Sequence, residues 1–272
     1  MINYSDYICG ERFSKLADFR YQNGDKIPAE NLLLYCRSDD IENCLAAISQ
    51  NKKNRYVLIS HNGDRNVQQD TVNSRPGNIH HWFAQNANAI ATGFEGLPIG
   101  ISNPEWGELG SIDQIANVAK QNINPSRWLY YGVNLGTNVN DRSEMWKHIT
   151  KTFTNDQSFM HGTRIPRISF LTECSNSKYI VSPPGNGIDC HRTWEALYLG
   201  RVPIVQRSHA MSYFRNLPIL FYDTPKDITM AVLEANEHLI QRFYEHDLRR
   251  MFMPYWIDKI LRKTREIKCQ NK

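Results

Sequence analysis

The chain lacks the features that would mark a membrane, secreted or metal-binding protein. No run of about 18 apolar residues occurs in its 272 residues, so we expect no transmembrane helix. Residues 1–15 lack the basic and apolar regions of a signal peptide. The six cysteines show neither C-x-x-C nor Cys/His ligand spacing, which indicates free thiols in a reducing compartment. We therefore expect a soluble, cytoplasmic protein.

Charge and motif absences exclude further classes of function. Lysine and arginine total 32 against 28 acidic residues, a formal net charge of +4. No basic block is interleaved with aromatic residues, so a nucleic-acid partner is not expected, whereas an anionic small molecule would suit this balance. No D-x-D motif is present, which argues against an essential metal. No G-x-G-x-x-G follows the first strand of either half, which argues against a dehydrogenase.

Short apolar runs alternate with helical patterns along the chain. Strands alternating with helices predict parallel sheets covered by helices, an α/β fold. The predicted strands begin near residues 31, 55, 79, 97, 128, 178, 202 and 217. The predicted helices span 41–50, 141–153, about 167–175, 190–199, 226–244 and 248–268. Asp141 is predicted as the N-cap of the second of these helices, and Gly200 as the stop of the fourth.

The order of these elements predicts two sheet-and-helix domains with a cleft between them. We expect a compact N-terminal domain over 1–110, a linker over 111–127 and a C-terminal domain over 128–247. The final segment, 248–272, is predicted as a helix that can cross back to the N-terminal domain. In open α/β sheets, ligands bind beyond the carboxyl ends of the strands. Polar, turn-rich segments follow three predicted strands, after Ser60, Gly132 and Val181.

The third of these segments begins the stretch 182–205, SPPGNGIDCHRTWEALYLGRVPIV. Gly185 and Gly187 allow close approach of the backbone, and the helix that follows offers unpaired N–H groups to an anion. Arg192 in its first turn supplies a planar fork for phosphate, and Glu195 lies on the same face. This pattern predicts a nucleotide-diphosphate site, with the carboxylate on sugar hydroxyls. A plain glycine turn before a helix, with Arg192 and Glu195 as a surface pair, fits the spacing equally well.

The stretch SKYIVSPPGNGIDCHRTWEALYLGRVPIV, residues 177–205, resembles the nucleotide-sugar-binding signature of exostosin-like glycosyltransferases. The glycine turn, the His/Arg pair, the E-A-L helix and the G-x-x-P passage occur in the same order. The resemblance is good over about 128–225 and loose over the first half of the chain. The α1,3-fucosyltransferases carry a similar E-A-L to G-x-x-P passage, so the resemblance does not fix the sugar.

The resemblance implies a GT-B architecture, in which two Rossmann-like domains face each other across a cleft. It implies an inverting transfer from a nucleotide-diphosphate sugar that binds mainly to the C-terminal domain, with the acceptor mainly on the N-terminal domain. Glu195 would hold the donor ribose, and Arg192 with the preceding backbone would hold the diphosphate. The implied donor-binding residues are Arg142, Gly185, Asn186, Gly187, Ile188, Asp189, His191, Arg192 and Glu195. For Arg142, an exposed position at a helix start is an equally good interpretation.

An inverting transfer needs a base that deprotonates the acceptor hydroxyl. His61 and Asp64 follow a strong predicted strand of the N-terminal domain and are the candidate catalytic residues. Histidine is suited by its pKa near neutrality, whereas an aspartate would need a raised pKa. The alternative is that Asn62-Gly63 forms a simple turn that Asp64 caps.

The candidate acceptor-binding residues follow on the next predicted strand. They are His80, His81, Trp82 and Asn86. Trp82 or Trp106 could stack on an acceptor sugar, although tryptophans more often pack in a core. The histidine pair is likewise more often structural, and Asn86 could simply satisfy a turn.

We therefore expect a metal-independent, inverting glycosyltransferase without a cofactor, with a UDP-sugar favoured over a GDP-sugar as co-substrate. The sugar would be xylose or a related sugar, and the acceptor a hydroxyl of a glycan or glycoprotein. One alternative is a fucosyltransferase-type enzyme that uses a GDP-sugar. The other is a non-catalytic nucleotide- or glycan-binding protein of the same fold.

Overall fold

The computed structural model describes residues 2–269 as two α/β domains, each built on a five-stranded, fully parallel sheet. The N-terminal domain holds β1 (Phe19–Arg20), β2 (Leu32–Arg37), β3 (Tyr56–His61), β4 (Val67–Gln68), β5 (Ile79–Gln85), β6 (Ala87–Asn88) and β7 (Phe94–Leu97). The C-terminal domain holds β8 (Arg127–Gly132), β9 (Ser158–His161), β10 (Ser177–Ser182), β11 (Val202–Gln206) and β12 (Leu220–Tyr222). The predicted α/β class, with two domains about a cleft and a compact N-terminal half, is confirmed.

Eleven helices are assigned within the described residues. They are α1 (Gly10–Ser14), α2 (Ile41–Ser49), α3 (Gln69–Asn73), α4 (Ile112–Lys120), α5 (Val139–Thr152), α6 (Arg167–Ser175), α7 (His191–Tyr198), α8 (His209–Ser212), α9 (Met230–Ala235), α10 (His238–Gln241) and α11 (Met253–Lys268). No helix within residues 2–269 is both long and apolar enough to cross a membrane.

The N-terminal sheet runs in chain order, β1-β2-β3-β5-β7, with a separate two-stranded ribbon of β4 and β6. Right-handed crossovers between parallel strands in this order place the intervening helices on one face of the sheet. On that face, β2, β3 and β5 pack against α2 and α3 through a cluster that includes Leu34, Leu58, Trp82, Ile48 and Val72. The sheet therefore has no reversal of strand order, and the other face needs cover from outside the crossovers.

That second face is covered by helices from the two ends of the chain. Leu33, Val57 and Phe83 face α1 and α11 and share one continuous core with the C-terminal domain. Helix α11 packs on β2, β3 and β5 with Trp256 fully buried. The strand order thus explains in physical terms why the last helix lies on the N-terminal sheet.

The C-terminal sheet has the order β9-β8-β10-β11-β12. Counted along the chain, this is the 2-1-3-4-5 order of flavodoxin-like sheets, in which the strand order reverses between the first and third strands. Loops leaving the carboxyl ends of β8 and β10 therefore turn to opposite faces and leave a crevice between them. Helices α6 and α7 pack together with α4 on one face, so α4, within the predicted linker, lies against the C-terminal domain.

Local structure differs from the predicted helices in three places. The predicted helix 226–244 is broken, because Asn236 donates its side-chain amide to the Val232 carbonyl (2.8 Å) and competes with the helical hydrogen bonds. The predicted helix 248–268 begins with a separate 3-10 turn, and α11 starts at Met253 with a proline in its first turn. Helix α5 begins after Asn138, so Asp141 is a first-turn residue and not the N-cap. The predicted stop of α7 at Gly200, which has φ +70°, is confirmed.

Candidate functional site

A cavity of about 730 Å³ lies at the crevice between β8 and β10 and opens between the two domains. The C-terminal domain lines it with the loops after β8, β9 and β10 and with the first turns of α6 and α7. The N-terminal domain contributes Asp64 and parts of the segment 99–109. Since ligands of open α/β sheets bind at such a reversal of strand order, the topology points to this cavity as the candidate site.

The loop after β10 is held rigidly against the N-terminal domain. Asn86, which has φ +52°, accepts a hydrogen bond from the Asp189 backbone N–H (2.9 Å). A Cβ on Gly187 would lie 2.5 Å from Asn86 Nδ2, so only glycine allows this approach. At the tip of the loop, Asn186 Nδ2 donates to Asp64 Oδ2 (3.0 Å). Gly187, one of the two glycines predicted for close backbone approach, is thus needed first for contact between the domains.

Arg142 lies beneath the same loop and lines the cavity. Its guanidinium donates to the backbone oxygens of Pro184 (3.2 Å) and Asn134 (3.0 Å). These two hydrogen bonds connect the loop after β10 to the loop after β8. The residue is 9% exposed, so it is not a solvated helix-start residue. Burial lowers the pKa of Arg142, but an arginine remains protonated in proteins. Its Nη2 lies 3.0 Å from the position of a Cβ on Gly185, beside the glycine turn.

Arg192 lies in the first turn of α7 and also lines the cavity. Its guanidinium carbon lies 5.8 Å from the ring centroid of Phe170. Its Nε is buried and finds no hydrogen-bond acceptor in the described part of the chain. A buried donor without an acceptor costs about 1–3 kcal/mol, so this guanidinium is ready to gain free energy by binding an anion.

Glu195 does not form the surface pair with Arg192 that was the alternative to a donor site. Its Oε1 lies 2.6 Å from Nη1 of Arg167 at the start of α6, and the two side chains are 7% and 6% exposed. Both residues line the cavity. The ion pair with Arg167 supplies a compensating charge for this buried carboxylate and fixes Glu195 at the cavity wall.

Asp189 does not cap α7, whose N-cap position is Cys190. Its buried carboxylate accepts the Ile99 backbone N–H (2.8 Å) and the Trp194 indole N–H (2.9 Å). Desolvation raises the pKa of Asp189 to about 7, although these hydrogen bonds favour the charged form. The carboxylate therefore connects the exit of β7 in one domain to α7 in the other.

His191 is fixed by the same exit segment. Its Nδ1 lies 2.8 Å from the Gly100 carbonyl oxygen, which can only accept, so Nδ1 carries the proton and Nε2 is left as an acceptor. Gly100 has φ +70°, and a Cβ there would lie 2.2 Å from the backbone oxygen of Ile8. The imidazole lines the cavity in a defined tautomer.

Asp64 is exposed at the cavity, on a loop that polar side chains hold in place. Its own N–H donates to Asp39 Oδ1 (3.2 Å), and the Gly63 carbonyl accepts from Gln85 (2.8 Å). Asn86 donates to the Asp64 carbonyl (3.4 Å). The turn at Asn62-Gly63 is present, and the Asp64 carboxylate faces the cleft, where one of its oxygens accepts the hydrogen bond from Asn186.

The second candidate base, His61, does not reach the cavity. It is fully buried; Nε2 donates to the Pro98 carbonyl (3.0 Å) and Nδ1 accepts from the Asn62 N–H (2.8 Å). Burial lowers the pKa of His61 to about 4. Both ring nitrogens are occupied, so we no longer assign a catalytic role to His61.

The four candidate acceptor-binding residues lie outside the cavity lining. His80 bonds Glu266 of α11 (2.8 Å), and burial lowers the pKa of His81, beside Glu95, to about 4. Trp82 is buried and donates to Ser60 (2.9 Å). These three residues begin β5, at the end of the sheet opposite the cleft, and Asn86 is used by the loop contact described above.

Three further residues remain to be placed. Ile188, expected at the donor, packs against the shared core and is not part of the cavity lining. Arg167 lines the cavity but was not among the expected site residues, and Trp106, one of the two tryptophans considered for stacking on an acceptor sugar, also lines it. Only the spatial strand order, which the sequence does not display, brings α6 and its Arg167 beside Glu195.

Comparisons with known proteins give only distant structural similarity. No protein-family model matches the chain, and no curated protein matches it either. The chain is similar to a UDP-forming α,α-trehalose-phosphate synthase from Burkholderia vietnamiensis, with 12% identity and a TM-score of 0.49 over 90% of this chain and 73% of that chain. For a glycosyltransferase from Rickettsia africae, the identity is 10% and the TM-score 0.45, over 86% of this chain and 76% of that chain. For the catalytic domain of starch synthase IV from Arabidopsis thaliana, the identity is 9% and the TM-score 0.33, over 85% of this chain and 68% of that chain. Similarity at these levels assigns neither a family nor an activity to this chain.

Replacement of Gly187 by alanine should displace the loop, because the new Cβ would overlap Asn86. We expect a loss of about 1–3 kcal/mol in the free energy of unfolding. Gly77→Ala is the matched control, since its Cβ would meet no atom within 4 Å, and should change stability by less than about 0.5 kcal/mol. Urea unfolding of both variants measures this, and equal stabilities would refute the close contact.

The raised pKa of Asp189 predicts a dependence of stability on pH. The native state retains a proton that the unfolded chain, with an ordinary aspartate pKa near about 4, has already lost. This contribution is complete below about pH 4 and is lost as the pH rises towards about 7. Between those values, wild-type stability should fall relative to that of Asp189→Asn. Urea midpoints across the range test this, with the exposed Asp156→Asn as control; parallel curves for wild type and Asp189→Asn would contradict it.

Proposed function

We propose that the chain is an inverting glycosyltransferase that moves a sugar from a nucleotide-diphosphate donor to a hydroxyl of a glycan. The proposed donor is a UDP-sugar, with xylose or a related sugar as the transferred group; the exostosin-like signature at 177–205 supports a nucleotide-sugar donor without fixing the sugar. The reaction takes place in a reducing compartment and needs no metal, since the protein supplies the cations. A glycan or glycoprotein is the acceptor.

One observation carries this proposal: two guanidinium groups and a helix N-terminus converge where the strand order of the C-terminal sheet reverses. Arg142 lies beside the turn at Gly185, Arg192 lies in the first turn of the helix that follows, and both line the cavity. The first N–H groups of α7 carry a partial positive charge at the same place. A diphosphate, with two negative charges and several acceptor oxygens, matches this set in charge and in hydrogen bonding.

The rest of the donor follows from the neighbouring residues. Glu195 presents a carboxylate that can accept hydrogen bonds from the hydroxyls of the ribose, and its ion pair with Arg167 fixes its orientation. His191 offers Nε2 to a hydroxyl of the donor or, when protonated, an N–H to the diphosphate. The glycine turn lets the backbone approach the diphosphate without an intervening side chain.

The chemistry then requires one proton transfer and one displacement. Asp64 accepts the proton of the acceptor hydroxyl, and the acceptor oxygen forms a bond with the anomeric carbon of the donor. The bond from that carbon to the diphosphate breaks, and its electron pair leaves on the phosphate oxygen. Arg142, Arg192 and the α7 N-terminus stabilise this developing negative charge.

Donor binding should depend on Arg192. A hydrogen bond to a charged group contributes roughly 1.5–3 kcal/mol, so Arg192→Ala should weaken UDP binding roughly 10- to 100-fold. Arg215→Ala, an exposed arginine outside the cavity lining, is the matched control and should retain the wild-type Kd within about twofold. Isothermal titration calorimetry with UDP, GDP, CMP and their sugars measures both effects and identifies the nucleobase of the donor. Titrations with and without a chelator show whether binding needs a metal. Wild-type protein that binds none of these nucleotides would refute the donor site.

Turnover should depend on Asp64. Asp64→Asn should keep the UDP affinity and lower the rate of transfer by about 100-fold or more, because general-base catalysis supplies this factor. Asp70→Asn, an exposed carboxyl outside the cavity lining, should leave the rate unchanged. The measurement is release of UDP from the donor that the titration identifies, in the presence of a glycan mixture. Nucleotide binding without any turnover in the wild type would favour the non-catalytic binding protein instead.

A further inference from the structure

Trp106 is an exposed tryptophan at the wall of the cavity. Its side chain is 65% exposed, whereas Trp82, Trp194 and Trp256 are completely buried. It also lines the cavity that holds Asp64 and the proposed donor site. An exposed indole at the wall of a cavity is more informative than one elsewhere on the surface, because it offers a flat apolar face to a bound molecule.

The backbone that carries Trp106 is held firmly, although the indole is free. Trp106 lies in a 3-10 segment, Pro104–Gly110, whose first turn closes through a hydrogen bond from the Trp106 N–H to the Asn103 carbonyl (3.0 Å). The segment kinks at Gly107, which has φ +63°, and then returns towards its own start. A Cβ on Gly110 would lie 2.1 Å from the same Asn103 oxygen.

Asn103 connects this segment to the loop of the proposed base. Its Oδ1 accepts the Glu11 backbone N–H (2.8 Å), and its Nδ2 donates to Asn62 Oδ1 (3.1 Å). Asn62 begins the short turn that places Asp64 at the cavity. One side chain therefore fixes the tryptophan segment and the carboxylate loop relative to each other.

The surroundings of Trp106 differ from those of the proposed diphosphate site. Leu109, Ile165 and Phe170 also line the cavity and add apolar surface. The phosphate-binding groups come from the C-terminal domain, whereas Trp106 follows β7, on the side of the cleft that supplies Asp64. An occupant of this wall needs an apolar face for the indole and a hydroxyl within reach of a carboxylate. A pyranose ring has both.

We propose that Trp106 is the platform of an acceptor subsite, on which a pyranose ring of the glycan stacks with one hydroxyl directed to Asp64. This subsite replaces the one expected at His80, His81 and Trp82. This inference deepens the proposed function, and the description of the bound sugar as the acceptor rests on that function. Sugar binding at the indole can nevertheless be measured without any transfer.

The test uses the full chain and free methyl glycosides of xylose, glucose, galactose and mannose as probes. Quenching of tryptophan fluorescence and saturation-transfer NMR report binding of each glycoside, and calorimetry reports the Kd for UDP. We expect at least one glycoside to bind the wild type, and Trp106→Ala to weaken that binding about tenfold, equivalent to roughly 1.4 kcal/mol. Trp106→Phe should recover part of the affinity because it keeps an aromatic face. The UDP Kd should stay within twofold in both variants.

Tyr244→Ala is the matched control, because Tyr244 is also 65% exposed and lies outside the cavity lining. It should bind the same glycoside with wild-type affinity. Three results would overturn the subsite: no glycoside binds the wild type, Trp106→Ala binds it unchanged, or Trp106→Ala loses UDP affinity instead, which would assign the indole to the nucleotide. If the protein binds a glycoside through Trp106 but binds none of the nucleotides, the sugar subsite is supported and the transferase function is refuted.

Discussion

The contact between the two domains at the cavity depends on one buried carboxylate. Asp189 accepts the backbone N–H of Ile99 from the N-terminal domain and the indole N–H of Trp194 from the C-terminal domain. Burial of a carboxylate without a cation is costly, as its raised pKa shows. That cost is offset because the carboxylate satisfies two N–H groups where the exit of β7 crosses the start of α7. His191, two residues further along the chain, makes a second connection between the domains through its hydrogen bond to the Gly100 carbonyl.

This constraint is one of several contacts by which the protein itself orders the loop after β10. Asn86 holds one end of the loop through the Asp189 N–H, Arg142 holds the Pro184 carbonyl, and Asn186 bonds Asp64 at the tip. Each contact uses a backbone group or an amide, so the loop order does not consume the guanidinium of Arg192. A site ordered in advance loses less conformational entropy when it binds its ligand, and the binding free energy improves by that difference. The same contacts fix Asp64 relative to the loop.

Sequence reasoning predicted the local features well and the spatial ones poorly. The strand, glycine turn and helix at 177–200 are visible in the residues, because glycine, the apolar runs and helix periodicity act over a few positions. The burial of His61 and the location of His80 at the far end of β5 depend on which end of a strand faces the cleft, which periodicity does not reveal. The partner of Glu195 was missed because Arg167 lies 28 positions before it (195 − 167) and meets it only through the order β9-β8-β10. Trp82 and Trp106 could be told apart only by their burial.

The charges around the cavity divide into two groups with different roles. Arg167 and Glu195 neutralise each other at a contact of 2.6 Å, so they can orient a neutral ribose without changing the net charge of the site. Arg142 and Arg192 have no carboxylate partner within the described residues, and Arg142 donates to two backbone carbonyl oxygens. Two uncompensated cations at one reversal of strand order favour a ligand that brings two negative charges there. A neutral sugar alone would leave both unpaired, whereas a diphosphate would pair them and would carry its attached sugar towards Asp64 on the opposite side of the cleft.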